Sequence, residues 1–107
     1  RTLNRLVDVA LWHDRTLLHF LTQLDEQRAY LDLMNKVIKP GGFVIIAVYS
    51  LEGADMCSDL KVKRYDHRML CQLLGERYDP LDYFDHLYFM PSGDERPFIY
   101  ALFQKLE

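Results

Sequence analysis

The sequence lacks the features that several classes of protein require. No run of apolar residues approaches the roughly 20 that cross a bilayer, and residues 1–8 do not have the charged-then-apolar layout of a signal peptide. The positive residues are dispersed and the formal net charge is −3, so the concentrated basic surface that binds a nucleic-acid backbone is missing. We therefore expect a soluble, cytoplasmic protein that binds neither membranes nor nucleic acid.

Cysteine is also scarce. The chain has two, Cys57 and Cys71, and it contains neither a Cys-x-x-Cys nor a His-x-x-x-His pair that would fix the geometry of a metal site. A site could be drawn from His67, Cys71 and His86, but Cys71 lies in an apolar helical pattern that favours a place in the core. We expect reduced thiols and no metal.

Apolar residues, in contrast, are plentiful. They make up 50% of the 107 residues, enough to form a core and too many for a disordered tail. The length allows one domain or a piece of one and excludes a second domain. Because the chain begins with Arg1 rather than methionine, we expect that a preceding segment was removed or is not included.

The first half of the sequence predicts a parallel strand–helix–strand unit. Residues 6–12 are almost continuously apolar, as in a strand buried on both faces, and they end at the polar cluster 13–15. A short helix is expected over residues 16–21. A longer one is expected over residues 25–38, where apolar residues recur at helical spacing, and residues 39–42 (KPGG) would end it before a second buried strand over 43–49. Such a crossover is right-handed in nearly all proteins.

The second half predicts a loop, a helix and a hairpin. Residues 50–64 form a loop longer than usual, and such loops often contact ligands. Asp66 is suited to begin a helix and Gly75 to end it. Aromatic and branched residues on both sides of the turn-rich 91–94 segment then indicate two antiparallel strands.

Three segments resemble motifs of one enzyme family. Residues 7–12 (VDVALW) are similar to the fourth strand of class I S-adenosylmethionine-dependent methyltransferases, residues 18–21 (LHFL) to the segment after it, and residues 37–45 (VIKPGGFVI) to the entry to the fifth strand. The last motif is the most specific. His13-Asp14-Arg15, together with Cys57-Ser58 and Arg64-Tyr65-Asp66, further resembles a bacterial branch of small methyltransferases.

The resemblance implies an α/β fold, namely a partial Rossmann-like methyltransferase sheet with flanking helices. Its strands would lie in the order 4, 5, 7, 6, with the last pair antiparallel, and residues 1–107 would form a single partial domain, the C-terminal half of the fold. The family binds S-adenosylmethionine mainly through a glycine-rich loop after strand one, and this chain has no such segment. Gly41-Gly42 cannot replace it, because it precedes a strand, whereas an anion-binding loop precedes a helix.

The site is expected at the ends of the two parallel strands, where open α/β sheets bind ligands. Methyl transfer is an in-line displacement that gains from orientation and, for a protonated acceptor, from a base. The predicted residues are His19 and His13 as general bases, Asp14, Arg15, Tyr49 and Arg64 for acceptor binding, and Trp12 as a wall against the cofactor.

Each of these residues has a structural alternative. His19 lies among apolar neighbours and could be a packing residue. Asp14 and Arg15 could cap the short helix or pair at the surface. The cations of residues 61–68 could line a lid over an anionic acceptor, or simply form a solvated face.

Three functions remain open at this point. The first is the substrate half of a methyltransferase for a small-molecule acceptor, inactive alone and completed by a missing N-terminal half. The second is a non-catalytic assembly module that forms a homodimer through the apolar sheet edge at residues 6–12. A nucleotide-dependent reductase, the third, fits the strands but not the terminal hairpin.

Overall fold

The computed structural model describes residues 9–15, 17–52, 56, 57 and 60–106. These residues form a four-stranded sheet, a two-stranded sheet and helices. In chain order the elements are β1 (Val9–Arg15), a 3-10 helix (Leu18–Phe20), α1 (Leu24–Val37), β2 (Ile38–Tyr49), β3 (Met56–Cys57), β4 (Leu60–Lys61), α2 (His67–Leu74), β5 (Tyr78–Phe89) and β6 (Glu95–Lys105).

The main sheet has the strand order β1-β2-β6-β5. β1 runs parallel to β2, and Trp12 lies opposite Val44. β6 is antiparallel to both β2 and β5. This order is the one expected for strands 4, 5, 7 and 6 of the methyltransferase sheet, so the predicted fold class is confirmed.

The crossover helix α1 begins where its sequence predicts. The side chain of Gln23 caps the first turn, and the carboxylate of Glu26 accepts the Gln23 N–H at 3.1 Å, so the two residues form a capping box. Tyr30 and Met34, one turn apart, are buried against the sheet. In the described part of the chain no helix is long and apolar enough to span a membrane.

Two segments expected to interrupt the strands are part of them. β1 continues through the polar cluster, because Arg15 still pairs with Ala47. The Pro-Gly-Gly segment lies within β2 as a bulge. Val9 pairs with Ile38 and Leu11 with Phe43, so that residues 39–42 of β2 lie opposite the single residue Ala10 of β1. Residues 6–8 of the predicted first strand lie outside the described residues.

The second half follows its prediction more closely. The Asp66 carboxylate accepts the Met69 N–H at 2.8 Å and so caps α2, and Gly75 ends the helix with a φ of +80°. The expected loop contains the short antiparallel pair β3–β4. β5 and β6 form the predicted hairpin.

The two faces of the main sheet differ sharply. On the face that α1 and α2 cover, called the helix face, Val44, Ile46 and Phe103 are fully buried. On the opposite face, called the open face, Leu11 and Phe84 remain 52% and 53% exposed. Parallel strands are normally covered on both sides. The described residues cover the open face at the end of β2, where Ala47, Tyr49 and Phe98 pack with Val62, but Leu11 and Phe84 lie outside this cluster.

Candidate functional site

Strand geometry divides the residues at the end of β1 into two pairs. Successive side chains of a strand point to opposite faces. Trp12 packs against the core of the helix face and Asp14 is buried, whereas His13 and Arg15 are exposed on the open face. The four predicted site residues therefore approach the strand end from both sides of the sheet.

Asp14 is the centre of a buried hydrogen-bond network. It is only 5% exposed, and its two carboxylate oxygens accept the backbone N–H groups of Leu17 at 2.8 Å and Leu18 at 3.0 Å. The Tyr30 hydroxyl donates to the same carboxylate at 2.6 Å and accepts from Trp12 Nε1 at 3.0 Å. Asp14 thus holds the chain as it enters the 3-10 helix, which is the capping alternative considered for it.

The network also affects the acidity of Tyr30. Burial raises the pKa of its hydroxyl well above the usual range, and the hydrogen bond to Asp14 adds to this effect because ionisation would destroy it. Tyr30 is therefore a neutral donor at physiological pH. The sequence indicated Tyr30 only as a core position of a helix, so its part in the site was missed.

His19 is fully buried next to the end of β2. Its Nδ1 accepts the backbone N–H of Tyr49 at 3.3 Å, and its ring lies 4.6 Å from that of Tyr49. In the neutral ring the proton is therefore on Nε2, which has no hydrogen-bond partner among the described residues. Burial lowers the pKa of His19 to about 4, against the opposing charge of Asp14.

The basic role expected for His19 stays a prediction. The nitrogen that carries its lone pair is occupied by the backbone of β2, and the other nitrogen is enclosed. What the geometry does show is that His19 fixes the position of Tyr49 at the strand end. Tyr49 in turn packs edge-on against Phe98, with ring centroids 5.1 Å apart.

The low pKa of His19 predicts a specific loss of stability in acid. Because the folded-state pKa is about 4 and the unfolded value is about 6.5, the unfolded chain binds a proton first as the pH falls. The free energy of unfolding should drop by about 2–3 kcal/mol between about pH 6.5 and pH 4, and the contribution is complete above that window. Urea unfolding at pH 7.5 and pH 4.5 measures the difference.

The matched variants are His19→Asn and His13→Asn. Asparagine keeps an acceptor for the Tyr49 N–H but does not titrate, so His19→Asn should flatten the pH dependence by this amount. His13 is exposed, and its replacement should leave the dependence as in the parent chain. An equal pH dependence in the parent chain and in His19→Asn would contradict the assignment.

His13 and Arg15 stand at the open face. His13 lines a largely apolar cavity of about 360 Å³ with Ile45, Tyr100 and other residues. The guanidinium carbon of Arg15 lies 5.5 Å from the centroid of the Tyr88 ring, which is a cation–π contact. Both side chains are accessible, and their predicted roles as base and acceptor clamp stay predictions.

Arg64 lies on the loop beyond β2. Its Nη1 donates to the carbonyl oxygen of Leu51 at 3.1 Å, so it ties the loop to the strand end. A second cavity, of about 420 Å³, opens beside this loop. Its lining includes Ser50, Tyr83 and Asp85. Alternation along β5 could have placed Tyr83 and Asp85 on one face, because they are two residues apart.

His67, Cys71 and His86 do not come together as a metal site. Among the described residues no group of three potential ligands could hold an ion. His67 Nε2 lies 3.5 Å from Cys71 Sγ, and burial raises the pKa of this thiol. His86 packs against Tyr100 of the open face, whereas α2 lies on the helix face.

Solved structures share this arrangement. The chain matches a SAM-dependent methyltransferase from Methanosarcina mazei with a TM-score of 0.72 and 12% identity, over 94% of this chain and 60% of the other. It matches the N-methyltransferase NodS of Bradyrhizobium japonicum with a TM-score of 0.67 and 15% identity, over 94% of this chain and 53% of the other.

A third neighbour is the 1,6-didemethyltoxoflavin-N1-methyltransferase of Burkholderia thailandensis, with a TM-score of 0.66 and 17% identity, over 92% of this chain and 44% of the other. The chain therefore spans about half the length of these neighbours. No family model matches it, and no curated protein matches it in sequence. The sheet order, the crossover helix and these neighbours agree that the chain has the fold of the class I SAM-dependent methyltransferases.

Proposed function

We propose that this chain forms the acceptor side of an enzyme that transfers a methyl group from S-adenosylmethionine to a small molecule. A cofactor-binding half outside these 107 residues would complete the enzyme. The observation that carries the proposal is the sheet order, with two parallel strands and an antiparallel pair, in a chain half as long as its methyltransferase neighbours. Two of those neighbours are N-methyltransferases, which supports a nitrogen acceptor here.

The described residues do not fit the anionic carboxylate end of the cofactor. Such a group is bound by the free N–H groups at a helix N-terminus. In α1 the Glu26 carboxylate accepts the Gln23 N–H and Asp25 lies in the same first turn, and in α2 the Asp66 carboxylate accepts the Met69 N–H. Both N-termini thus already carry acidic side chains of the chain itself, so we expect the chain to be inactive alone.

Within the complete enzyme we assign separate tasks to the residues at the strand ends. The cofactor supplies the methyl group on a sulfonium. His13, exposed at the end of β1, accepts the proton of the acceptor, and Arg15 beside it orients an acidic part of that molecule. Asp14 and Tyr30 keep the end of β1 in place, and His19 does the same for β2 through Tyr49.

The proposal is tested by the sequence that stands before Arg1 in the natural polypeptide. A strand followed by Gly-x-Gly-x-Gly within about 80 residues before Arg1, the length of two to three βα units, should be present. The extended protein should methylate an acceptor, and His13→Ala should lower kcat by a factor of about 10²–10⁴. An upstream sequence without such a unit would reject the proposal in favour of the assembly module.

A second candidate function rests on the free edge of β1. In the described sheet β1 pairs only with β2, and β5 forms the other edge. β5 is protected by Pro80, by three aspartates and by a register shift after Pro80. β1, with the sequence VALWHDR, has no proline and is apolar up to His13. Two copies of β1 could therefore pair and form a homodimer.

The dimer leaves one requirement unmet. Antiparallel pairing of two β1 strands about a two-fold axis keeps both helix layers on the same side of the joined sheet. The exposed part of the open face, which includes Leu11 and Phe84, then stays uncovered. A right-handed crossover between β1 and a further strand beyond it would place its helix on the open face. An N-terminal α/β half would therefore pair with the edge of β1 and also cover the open face. We rank the methyltransferase half first for this reason.

The edge hypothesis makes its own prediction. Leu11→Lys puts a charge on β1, at a side chain that is 52% exposed, and should abolish strand pairing without loss of the fold. Leu33→Lys, at a 53% exposed position on α1, is the control. Light scattering should show a dimer for the parent chain and for Leu33→Lys and a monomer for Leu11→Lys. A parent chain that is monomeric at high concentration would contradict the assembly function.

A further inference from the structure

The cavity beyond the end of β2 has the features of a built ligand site. It lies on the helix face, between the start of the loop after β2, the first turn of α2 and the middle of β5. Its volume of about 420 Å³ falls in the range of small-molecule sites. The polar and aromatic groups that line it include Ser50, Glu52, His67, Arg68, Tyr83 and Asp85.

Tyr65 is the best evidence that a ligand completes this cavity. The residue lines the cavity and is 1% exposed. Its hydroxyl has no hydrogen-bond partner among the described residues. A buried hydroxyl is normally paired, because leaving it unpaired costs about 1–3 kcal/mol. A ligand in the cavity can supply the missing partner.

The charges around the cavity favour a cation. Glu52 and Asp85 line it, and neither carboxylate forms an ion pair with another described residue. Asp66 also lines it but is already bound to the Met69 N–H. Among the described lining residues Arg68 alone is positively charged, and its side chain is exposed and can turn to water. Two uncommitted carboxylates therefore outweigh one mobile guanidinium.

Aromatic rings supply the rest of the wall. The rings of His67 and Tyr83 are stacked, with centroids 3.8 Å apart and planes inclined by 14°. Each ring holds the other in place, so the wall is formed before a ligand arrives. An aromatic surface beside carboxylates suits an organic ammonium group, which gains both charge pairing and a cation–π contact.

We propose that this cavity binds a small organic amine in its ammonium form. Asp85 and Glu52 provide the counter-charge, the Tyr65 hydroxyl accepts a hydrogen bond from the amine, and the His67–Tyr83 pair packs against its apolar part. This site is separate from the acceptor position proposed above, because His13 and Arg15 lie on the open face of the sheet and the cavity lies on the helix face. Binding of the amine requires no cofactor.

Three probes with the same phenol ring and different charge test the inference: tyramine, 4-ethylphenol and 3-(4-hydroxyphenyl)propionate. Each is titrated into the ¹⁵N-labelled chain and followed by NMR. Tyramine should bind at least about tenfold more tightly than 4-ethylphenol, equivalent to about 1.4 kcal/mol, and should shift the amide signals of Ser50, Tyr83 and Asp85. Tighter binding of the propionate than of tyramine would overturn the proposal.

Variants locate the site. Asp85→Asn and Glu52→Gln should each weaken tyramine binding by at least about threefold, and Tyr65→Phe by a similar factor. These are the small losses expected of partly solvated contacts. Asp32→Asn, on the exposed side of α1, should bind like the parent chain. Unchanged affinity for tyramine in both carboxylate variants would reject the site. Because Glu52 and Asp85 are exposed, these substitutions should leave the fold intact.

The two proposals fail separately. If the 107-residue chain binds tyramine through Asp85 and Glu52 but the extended protein transfers no methyl group, the enzyme function is rejected and the amine site stands. If the extended protein is an active methyltransferase but the carboxylate variants bind amines normally, the amine site is rejected alone.

Discussion

Replacing Asp14 by alanine is expected to lower the free energy of unfolding by about 3 kcal/mol, which corresponds to a fall in Tm of more than about 10 °C for a domain of this size. The substitution removes the acceptor of two backbone N–H groups and of the Tyr30 hydroxyl. Hydrogen bonds to a charged group contribute about 1.5–3 kcal/mol each, and buried donors left unpaired add a penalty. The losses are not additive, because the three donors can partly rearrange.

Two variants separate this network from a general effect of lost charge. Tyr30→Phe should cost about 1 kcal/mol, because Asp14 keeps both backbone donors and only the hydroxyl bonds are lost. Asp32→Ala, at an exposed position on α1, should change stability by less than about 0.5 kcal/mol. Thermal unfolding of the three variants gives the comparison. An Asp14→Ala chain as stable as Asp32→Ala would show that the network contributes nothing.

The order of elements could be predicted because the pattern of apolar residues is strong there. The run 43–49 has no polar interruption, and such a run is typical of a strand buried between neighbours. Residues 30, 34 and 38 repeat at helical spacing and are buried as expected. Asp66 and Gly75 bound α2 through hydrogen-bonding and conformational preferences that act locally, so no tertiary information was needed.

The end of β1 could not be predicted in the same way. His13 and Arg15 are polar, and in a strand covered on both sides polar residues indicate its end. Here they continue the strand, since His13 and Arg15 are exposed on the open face, where polar side chains reach water. The pattern alone cannot distinguish a strand that stops from one whose second face is open.

The buried contacts of the site were also beyond the sequence. Tyr30 lies 16 residues from Asp14, and their hydrogen bond depends on how α1 crosses β1. For His19 the alternative of a satisfied packing residue was half correct: Nδ1 is paired and Nε2 is not. Which nitrogen is paired is set by the register of Tyr49, and no spacing in the sequence specifies it.

S-adenosylmethionine is expected not to bind to the 107-residue chain. The chain has no Gly-x-Gly-x-Gly loop, and acidic side chains already lie at the N-termini of α1 and α2, where an anionic group would have to bind. The extended polypeptide, with its glycine-rich loop, should bind at least about a hundredfold more tightly, a difference of about 2.7 kcal/mol.

Calorimetric titration of the isolated chain with S-adenosylmethionine tests the division of the enzyme into two halves most directly. We expect no saturable heat up to about 1 mM cofactor, which corresponds to a binding free energy weaker than about −4 kcal/mol. Tyramine titrated into the same chain should still bind. A micromolar dissociation constant for the cofactor would contradict it, because these residues alone would then hold the group that we assign to another part of the protein.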